Sequence, residues 1–322
     1  MKKMIRWILL AFAFGLSGAA LAQAWPVKPI RIVVSSGAGG TADILARLLG
    51  ERIAPAMGQS MIIDNRPGAG GHLGAEMVAR APADGYTFLM SGSPTHSVGP
   101  HLFKNLPYDP MRDVPPVAMV ATAPNLLVVN SSLAVNSVQD LVRLARERPG
   151  QLTYSSAGNG TSGHLAAELL RNTAHIDATH VPFKSGPEAV TAVLSGSVSF
   201  IFFTVPATLP QVKGGRLRAL AVTSAKRTAL APGIPTVAES GFPGFDVLAW
   251  YGLFAPRGTP NAIVSRLSGE IEKVLRQPDI REKLAQLGAE PSYLGPEALT
   301  AFVASDSAKW GALIKGSGAK VD

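Results

Sequence analysis

Ile30-Arg31-Ile32-Val33-Val34-Ser35-Ser36-Gly37-Ala38-Gly39-Gly40-Thr41-Ala42-Asp43-Ile44-Leu45 reads as a strand, a glycine loop and a helix in immediate succession. Ile30 to Val34 is rich in β-branched residues, while Ile44, Leu45, Leu48, Leu49 and Ile53 recur at helical spacing and give one apolar face. The unit returns further along. Leu152-Thr153-Tyr154-Ser155 leads into Ala157-Gly158-Asn159-Gly160-Thr161-Ser162-Gly163, and a helix is expected from His164 to about Arg171. Repeated strand, loop and helix units predict an α/β fold built on mostly parallel sheets.

Around these two units the pattern predicts further strands at Met61 to Ile63, Tyr86 to Met90, Val117 to Ala121, Leu126 to Val129, Thr179 to Phe183, Val198 to Phe203, Leu217 to Val222 and Val247 to Phe254. Short helices are expected at Leu73 to Ala79 and from Ser137, where Asp140 three residues on makes a capping-box-like start. Another is expected from Pro187 to Ser195, with Pro187 suited to a first helical turn, and a turn of helix near Leu209. Pro94 to Pro116 reads as irregular. Asn261 to Leu275, Ile280 to Leu287 and Pro296 to Lys315 read as helices with no sheet of their own, so they must bury their apolar stripes on an existing lobe, most simply the N-terminal one. The expectation is two α/β lobes, 25–122 with 248–322 and 123–247, joined by crossings near Thr122 and Leu248.

The chain has 322 residues, no cysteine, 47% hydrophobic and 16% charged residues, which excludes a disordered or disulfide-stapled protein. Lys2-Lys3 and Arg6, the apolar run Ile8 to Phe14 and the A-x-A pattern at Ala20 to Ala24 read as an export signal over residues 1–24, cleaved near Ala22 or Ala24. The apolar run, roughly ten residues, falls short of the ~20 needed to span a bilayer. The expected location is the periplasm. Net charge is +8 over the full chain, without a Lys/Arg run or face, so no nucleic-acid partner is expected.

Glycines in Gly37-Ala38-Gly39-Gly40 and Gly158-Asn159-Gly160 let backbone amides approach a ligand, and Thr41, Asn159, Thr161 and Ser162 add uncharged hydrogen-bonding groups. At the carboxyl ends of strands, with helix N-termini behind them, such loops suit an anion without a fixed cation. Asp43, in the first helical turn, reads most simply as a group that bonds free N–H groups. Other chemistries fit poorly. The runs Gly37 to Ala42 and Gly68 to Leu73 both lack the sixth-position glycine of G-x-G-x-x-G, no GK[ST] occurs, and none of the six histidines belongs to an H-E-x-x-H motif, so no cofactor or metal is expected. No G-x-S-x-G elbow supports a hydrolase.

Nine segments in register resemble the exported solute-binding proteins of tripartite tricarboxylate transporters, also called Bug proteins, over essentially the whole mature chain. They are Trp25 to Ile30, Gly39 to Arg47, Asn65 to Gly71, Ala83 to Thr87, Asn105 to Pro110, Ser156 to Thr161, Leu217 to Thr223, Pro235 to Glu239 and Trp250 to Leu253. The resemblance implies a two-lobed periplasmic-binding-protein (Venus-flytrap) fold with two hinge crossings. It implies a monomeric, non-enzymatic receptor that hands a small carboxylate to membrane permease subunits. Loops matching Ser35 to Thr41 and Ala157 to Ser162 hold the ligand in the family. The expected ligand-binding residues are therefore Ser36, Ala38, Gly39, Gly40, Thr41, Asp43 and Ser91 on one side. Ala157, Asn159, Gly160, Thr161, Ser162, Phe203 and Thr204 are expected on the other. Members frequently carry Asp where this chain has Phe203, and Phe cannot pair with a ligand ammonium. That disfavours amino acids and favours di- or tricarboxylates or an aromatic carboxylate. A ligand sensor that docks on a signalling partner would use the same cleft, and a secreted hydrolase is the third class weighed.

Overall fold

The opening stretch folds as strand β1 (Ile30–Val34) followed by helix α1 (Thr41–Met57) in a computed structural model that describes residues 25–229 and 231–317. The expected export signal lies outside the described residues. β1 pairs in parallel with β2 (Met61–Asn65) on one side and β3 (Thr87–Gly92) on the other. Helix α2 (His72–Ala79) connects β2 to β3, and the Pro94–Val98 stretch after β3 is a π-helical turn. Two single-turn helices, α3 (Gly99–Leu102) and α4 (Pro110–Asp113), complete the region read as irregular.

Strand β4 (Pro116–Asn130) runs through both lobes, and 13 of its 15 residues are buried because both of its faces are covered. Its first half pairs antiparallel with β9 (Leu248–Phe254), which in turn pairs antiparallel with β3. From Asn125 onward it pairs with β7 (Phe200–Thr204) and β8 (Leu217–Val222). β7 lies parallel to β5 (Leu152–Ser156), and β5 to β6 (Ala178–Pro182), so the second lobe repeats the sheet of the first. The sequence pattern suggested two strands with a break at Thr122 to Asn125. In the structure the strand is continuous, and Pro124, which cannot donate a ladder bond, sits where the partner changes from β9 to β7.

Helices α5 (Val138–Glu147), α6 (Ser162–Ala174), α7 (Gly186–Leu194) and α8 (Val205–Lys213) belong to the second lobe. After β9 come α9 (Asn261–Arg276), α10 (Pro278–Leu287), strand β10 (Glu290–Leu294) and α11 (Pro296–Ser317). β10 escaped the sequence reading. It has no apolar alternation and carries Pro291, which an edge strand with a register shift accommodates. α9 and α10 bury Leu267, Ile271, Ile280 and Leu284 in the first lobe's core, as expected. α11 differs: Leu299 and Val303 pack in the first lobe, but Trp310 and Ile314 join the core of the second. Among the described residues no helix is long and apolar enough to cross a membrane.

Candidate functional site

Four helices begin at one cavity between the lobes. The N-cap residues of α1, α6, α7 and α8 are Gly40, Thr161, Ser185 and Thr204, and all four line it. A Ser, Thr or Asp at this position ordinarily accepts hydrogen bonds from the first-turn amides. Away from the cavity that rule holds: Ser137 Oγ accepts from the Asp140 amide at 3.0 Å, and Asp109 Oδ1 from Met111 and Arg112. At the cavity no side chain caps any of the four helices. Thr161 Oγ1 instead donates to Gly158 O at 2.8 Å, and Thr204 Oγ1 lies 2.5 Å from Thr41 Oγ1 of the opposite lobe. First-turn N–H groups are thereby left for a ligand, each behind roughly half a positive charge of helix dipole.

Ser35 and Ser91, at the carboxyl ends of β1 and β3, line a second wall with their hydroxyls 2.8 Å apart. Ala42, Ala157, Phe203, Ala249 and Trp250 make the cavity largely apolar elsewhere. The cavity has a volume of about 80 Å³.

The loop before α1 is braced from behind. Asp43, buried at the helix start, accepts from the Gly39 amide at 2.9 Å and from Asn65 Nδ2 at 3.0 Å, and pairs with Arg47. Asn65 also donates to Ser36 O. Burial pushes the Asp43 carboxyl upward, but the Arg47 guanidinium and the Gly39 and Asn65 donors outweigh it and hold it below the usual range. A lowered native pKa means that the carboxylate stabilises the fold above the ordinary carboxyl pKa and loses that effect as pH falls through the native value. Asp43→Asn is therefore expected to lower the melting temperature at neutral pH, on the scale of ~1–3 kcal/mol for hydrogen bonds to a charged group. The difference from wild type should narrow in acid, which thermal melts across pH will check.

Of the sequence-derived set, Ser36, Gly40, Thr41, Ser91, Ala157, Thr161, Ser162, Phe203 and Thr204 line the cavity. Ala38, Gly39, Asp43, Asn159 and Gly160 do not. Gly39 and Asp43 bond each other behind the wall, and Ala38 is exposed in the same loop. Gly160 gives its amide to His164 Nδ1 at 3.1 Å and packs against Val98 and Leu102 of the first lobe, while the Asn159 carbonyl abuts Gly70. These two residues belong to the contact between lobes and not to the cavity lining. Ser162 Oγ donates to Asn125 Oδ1, so Ser162 and His164 form no nucleophile and base pair. His72 is a core residue, bonded through Nδ1 to the Tyr108 hydroxyl at 2.7 Å and pushed by burial to a pKa of about 4.

Three contributions were missed. Ser185-Gly186 carries the same cap logic as Thr161-Ser162, and its signal was the Pro187 already read as a helix start. Lys184, exposed at the rim, supplies a cation that the loop reading did not foresee. Tyr251 reaches Thr41 and Thr204 through its hydroxyl, and burial raises its pKa to about 12 despite those two bonds.

Two sheet-based lobes that meet over a cavity ringed by helix N-termini define a solute receptor of the flytrap class. Residues 45–319 match the family described as the tripartite tricarboxylate transporter family receptor. Protein BugT of Bordetella pertussis is 33% identical over 95% of this chain and 94% of its own. The solved structure of R. palustris Rpa4515 with adipate superposes with a TM-score of 0.89 at 38% identity, covering 91% of this chain and 98% of that one. MatC (Rpa3494) from Rhodopseudomonas palustris with bound malate gives 0.85 at 32%, covering 90% and 100%. The chain belongs to the tripartite tricarboxylate transporter receptor family, the Bug proteins.

Proposed function

We propose that this protein is a periplasmic receptor that closes over a small carboxylate and delivers it to the membrane subunits of a tripartite tricarboxylate-type transporter. The convergence of four helix N-termini without side-chain caps on one cavity carries the reading. Free amides and helix dipoles bind an anion, and a carboxylate takes two or three such donors with full geometric satisfaction. Adipate and malate in two related structures support the carboxylate class. Phe203 at the end of β7 offers a ligand ammonium no counter-charge, which supports acids over amino acids. The lobes are 25–122 with 248–322 and 123–247. The hinge lies where β4 changes partner at Pro124 and β9 begins at Leu248, with α11 as a further tie between them. Closure about it brings the α6, α7 and α8 termini onto a ligand seated on α1.

A ligand present at 100 times its dissociation constant and bound only by the folded, closed form stabilises by about 2.7 kcal/mol. Thermal melts against a panel of small di- and tricarboxylates and aromatic carboxylates are expected to reveal at least one such upward shift. An unmoved melting temperature across the acids, with a rise for some other chemical class, would overturn the carboxylate reading.

A further inference from the structure

The Ser35 and Ser91 wall has a fixed hydrogen-bond polarity, set by a chain of groups behind it. Ser35 Oγ donates to Ser91 Oγ at 2.8 Å, Ser91 Oγ lies 2.7 Å from Thr95 Oγ1, and Thr95 Oγ1 lies 2.8 Å from His96 Nδ1. His96 Nε2 lies 3.2 Å from the Val114 carbonyl oxygen. The chain ends at a group that can only accept, so Nε2 must carry the ring proton. The His96 ring is stacked on Phe254 at 3.7 Å and buried, and burial lowers its pKa to about 3, so it is neutral. A neutral ring protonated at Nε2 presents Nδ1 as an acceptor, and Thr95 is the hydroxyl that faces it. Thr95 Oγ1 also lies 3.1 Å from Gly92 O, a second acceptor for the same single proton.

Counting protons settles the rest. Thr95 directs its proton to His96 or to Gly92, so the short contact between Ser91 and Thr95 requires Ser91 to donate. Ser91 therefore has no proton to offer Ser35, which is why Ser35 donates to Ser91. Both hydroxyls that face the cavity turn lone pairs toward it. Ser36 is different: its Oγ has no hydrogen-bond partner among the described residues and sits beside Gly40 at the start of α1, free to donate to an anion there. The cavity thus has a donor pole at the helix termini and an acceptor pole at the ends of β1 and β3.

We propose that the acceptor pole selects a hydrogen-bond donor at the far end of the ligand, so that the preferred ligands are small mono-anionic acids carrying a terminal hydroxyl or primary amide. This rests on the carboxylate reading above and refines it. A doubly ionised dicarboxylate would set its second carboxylate, an acceptor only, against the lone pairs of Ser35 and Ser91, leaving both sides unpaired. Within this arrangement Thr95 is a positioning residue: it does not line the cavity, and it acts by fixing the direction of the serine hydroxyls.

The test compares matched acids of four to six carbons by calorimetry at about pH 8, where carboxyl groups are ionised. Each set holds the dicarboxylate, its monoamide and the corresponding ω-hydroxy acid, for example adipate, adipamate and ω-hydroxyhexanoate. The monoamide or hydroxy acid of the best-fitting length is expected to bind wild type at least about tenfold more tightly than its dicarboxylate, since an unpaired buried polar group is worth about that factor or more. Thr95→Val frees the Ser91 proton to turn toward the cavity, and the preference should fall below about threefold, whereas Thr95→Ser should keep it. If Thr95→Val does not fold, Ser91→Ala, which releases the Ser35 proton, should show the same loss. A wild-type preference for the dicarboxylate, which would seat its second charge on Lys184, overturns the proposal and leaves the carboxylate reading intact. A preference unchanged in Thr95→Val overturns the assigned role of the relay. If none of the acids binds, the proposed function falls and this inference with it.

Discussion

Gly70→Ala should fold normally and lose ligand affinity by a hundredfold or more. Gly70 sits in the short turn Ala69–Gly71 with φ +65°, and a β-carbon there would drive into the carbonyl oxygen of Asn159, a backbone atom of the opposite lobe. Backbone cannot swing aside as a side-chain tip can, so the lobes would have to stay apart. An open receptor keeps the α1 terminus but withdraws the amides of α6 and α7 from the ligand. Two or more charge-assisted hydrogen bonds at ~1.5–3 kcal/mol each account for a hundredfold loss, since every 1.4 kcal/mol is tenfold. The left-handed backbone itself costs an alanine about 1–2 kcal/mol, which by itself would lower stability. Gly58→Ala separates the two effects: Gly58 has φ +67° and open space where its β-carbon would go. Both variants should melt at similarly reduced temperatures. Only Gly70→Ala should fail to bind by calorimetry and fail to compact in small-angle scattering when a carboxylate that stabilises wild type is added. Wild-type affinity and compaction in Gly70→Ala would show that the contact of Gly70 with Asn159 is absent from the ligand-bound state.

That contact also marks a limit of sequence reading. Gly158, Asn159 and Gly160 were legible as a loop at the carboxyl end of a strand, because β5 and α6 are defined by local periodicity. What the glycines are for was not legible. A glycine with positive φ looks the same in sequence whether it admits a ligand or admits another part of the protein. Gly160, with φ +79° and Val98 and Leu102 beside it, is the second case. Asp43 was read in both senses, and the structure gives it the one that local rules favour, a brace for the Gly39 amide.

The fold divides along the same line. β1 with α1, β5 with α6 and the helix beginning at Pro187 were readable from a few adjacent residues. Strand β4 was not readable as one element, since Pro124 is a strand breaker by propensity, and only the change of partners between β9 and β7 makes it harmless. Tyr251 and Trp250 reach the cavity because β9 inserts antiparallel between β3 and β4, a pairing that spans more than a hundred residues and leaves no local trace. Ser35 and Ser91 share this character. Their proximity follows from the register of β1 beside β3, and the polarity of their hydroxyls depends on Val114, which belongs to neither strand.

Gly186→Ala should abolish measurable binding, and adding Phe203→Ala should restore it. Gly186 is the first residue of α7 and has an ordinary helical role, so alanine there meets no backbone strain and improves helix propensity by up to about 1 kcal/mol. Its β-carbon, however, would occupy the place of the outer edge of the Phe203 ring. Phe203 packs against a core cluster that includes buried Val190, Val193 and Ile201, which cannot yield without overpacking. The open side is the cavity, which Phe203 already lines. A phenyl ring turned into a space of about 80 Å³ leaves no room for an acid. The single variant is thus expected to melt near the wild-type temperature and to lose affinity by more than a hundredfold. Phe203→Ala alone should bind with a modest loss, because the apolar wall is removed and the donors remain. In the double variant the obstruction is gone, and affinity should return to within about tenfold of wild type, a coupling of at least ~1–3 kcal/mol between neighbouring sites. A double variant as inactive as Gly186→Ala would place the cause in the α7 terminus itself, with the ligand approaching the Gly186 backbone too closely for any β-carbon. Recovery would show that Phe203 sets the depth of the cavity, and that the missing side chain of Gly186 is what allows the ring to stand clear of it.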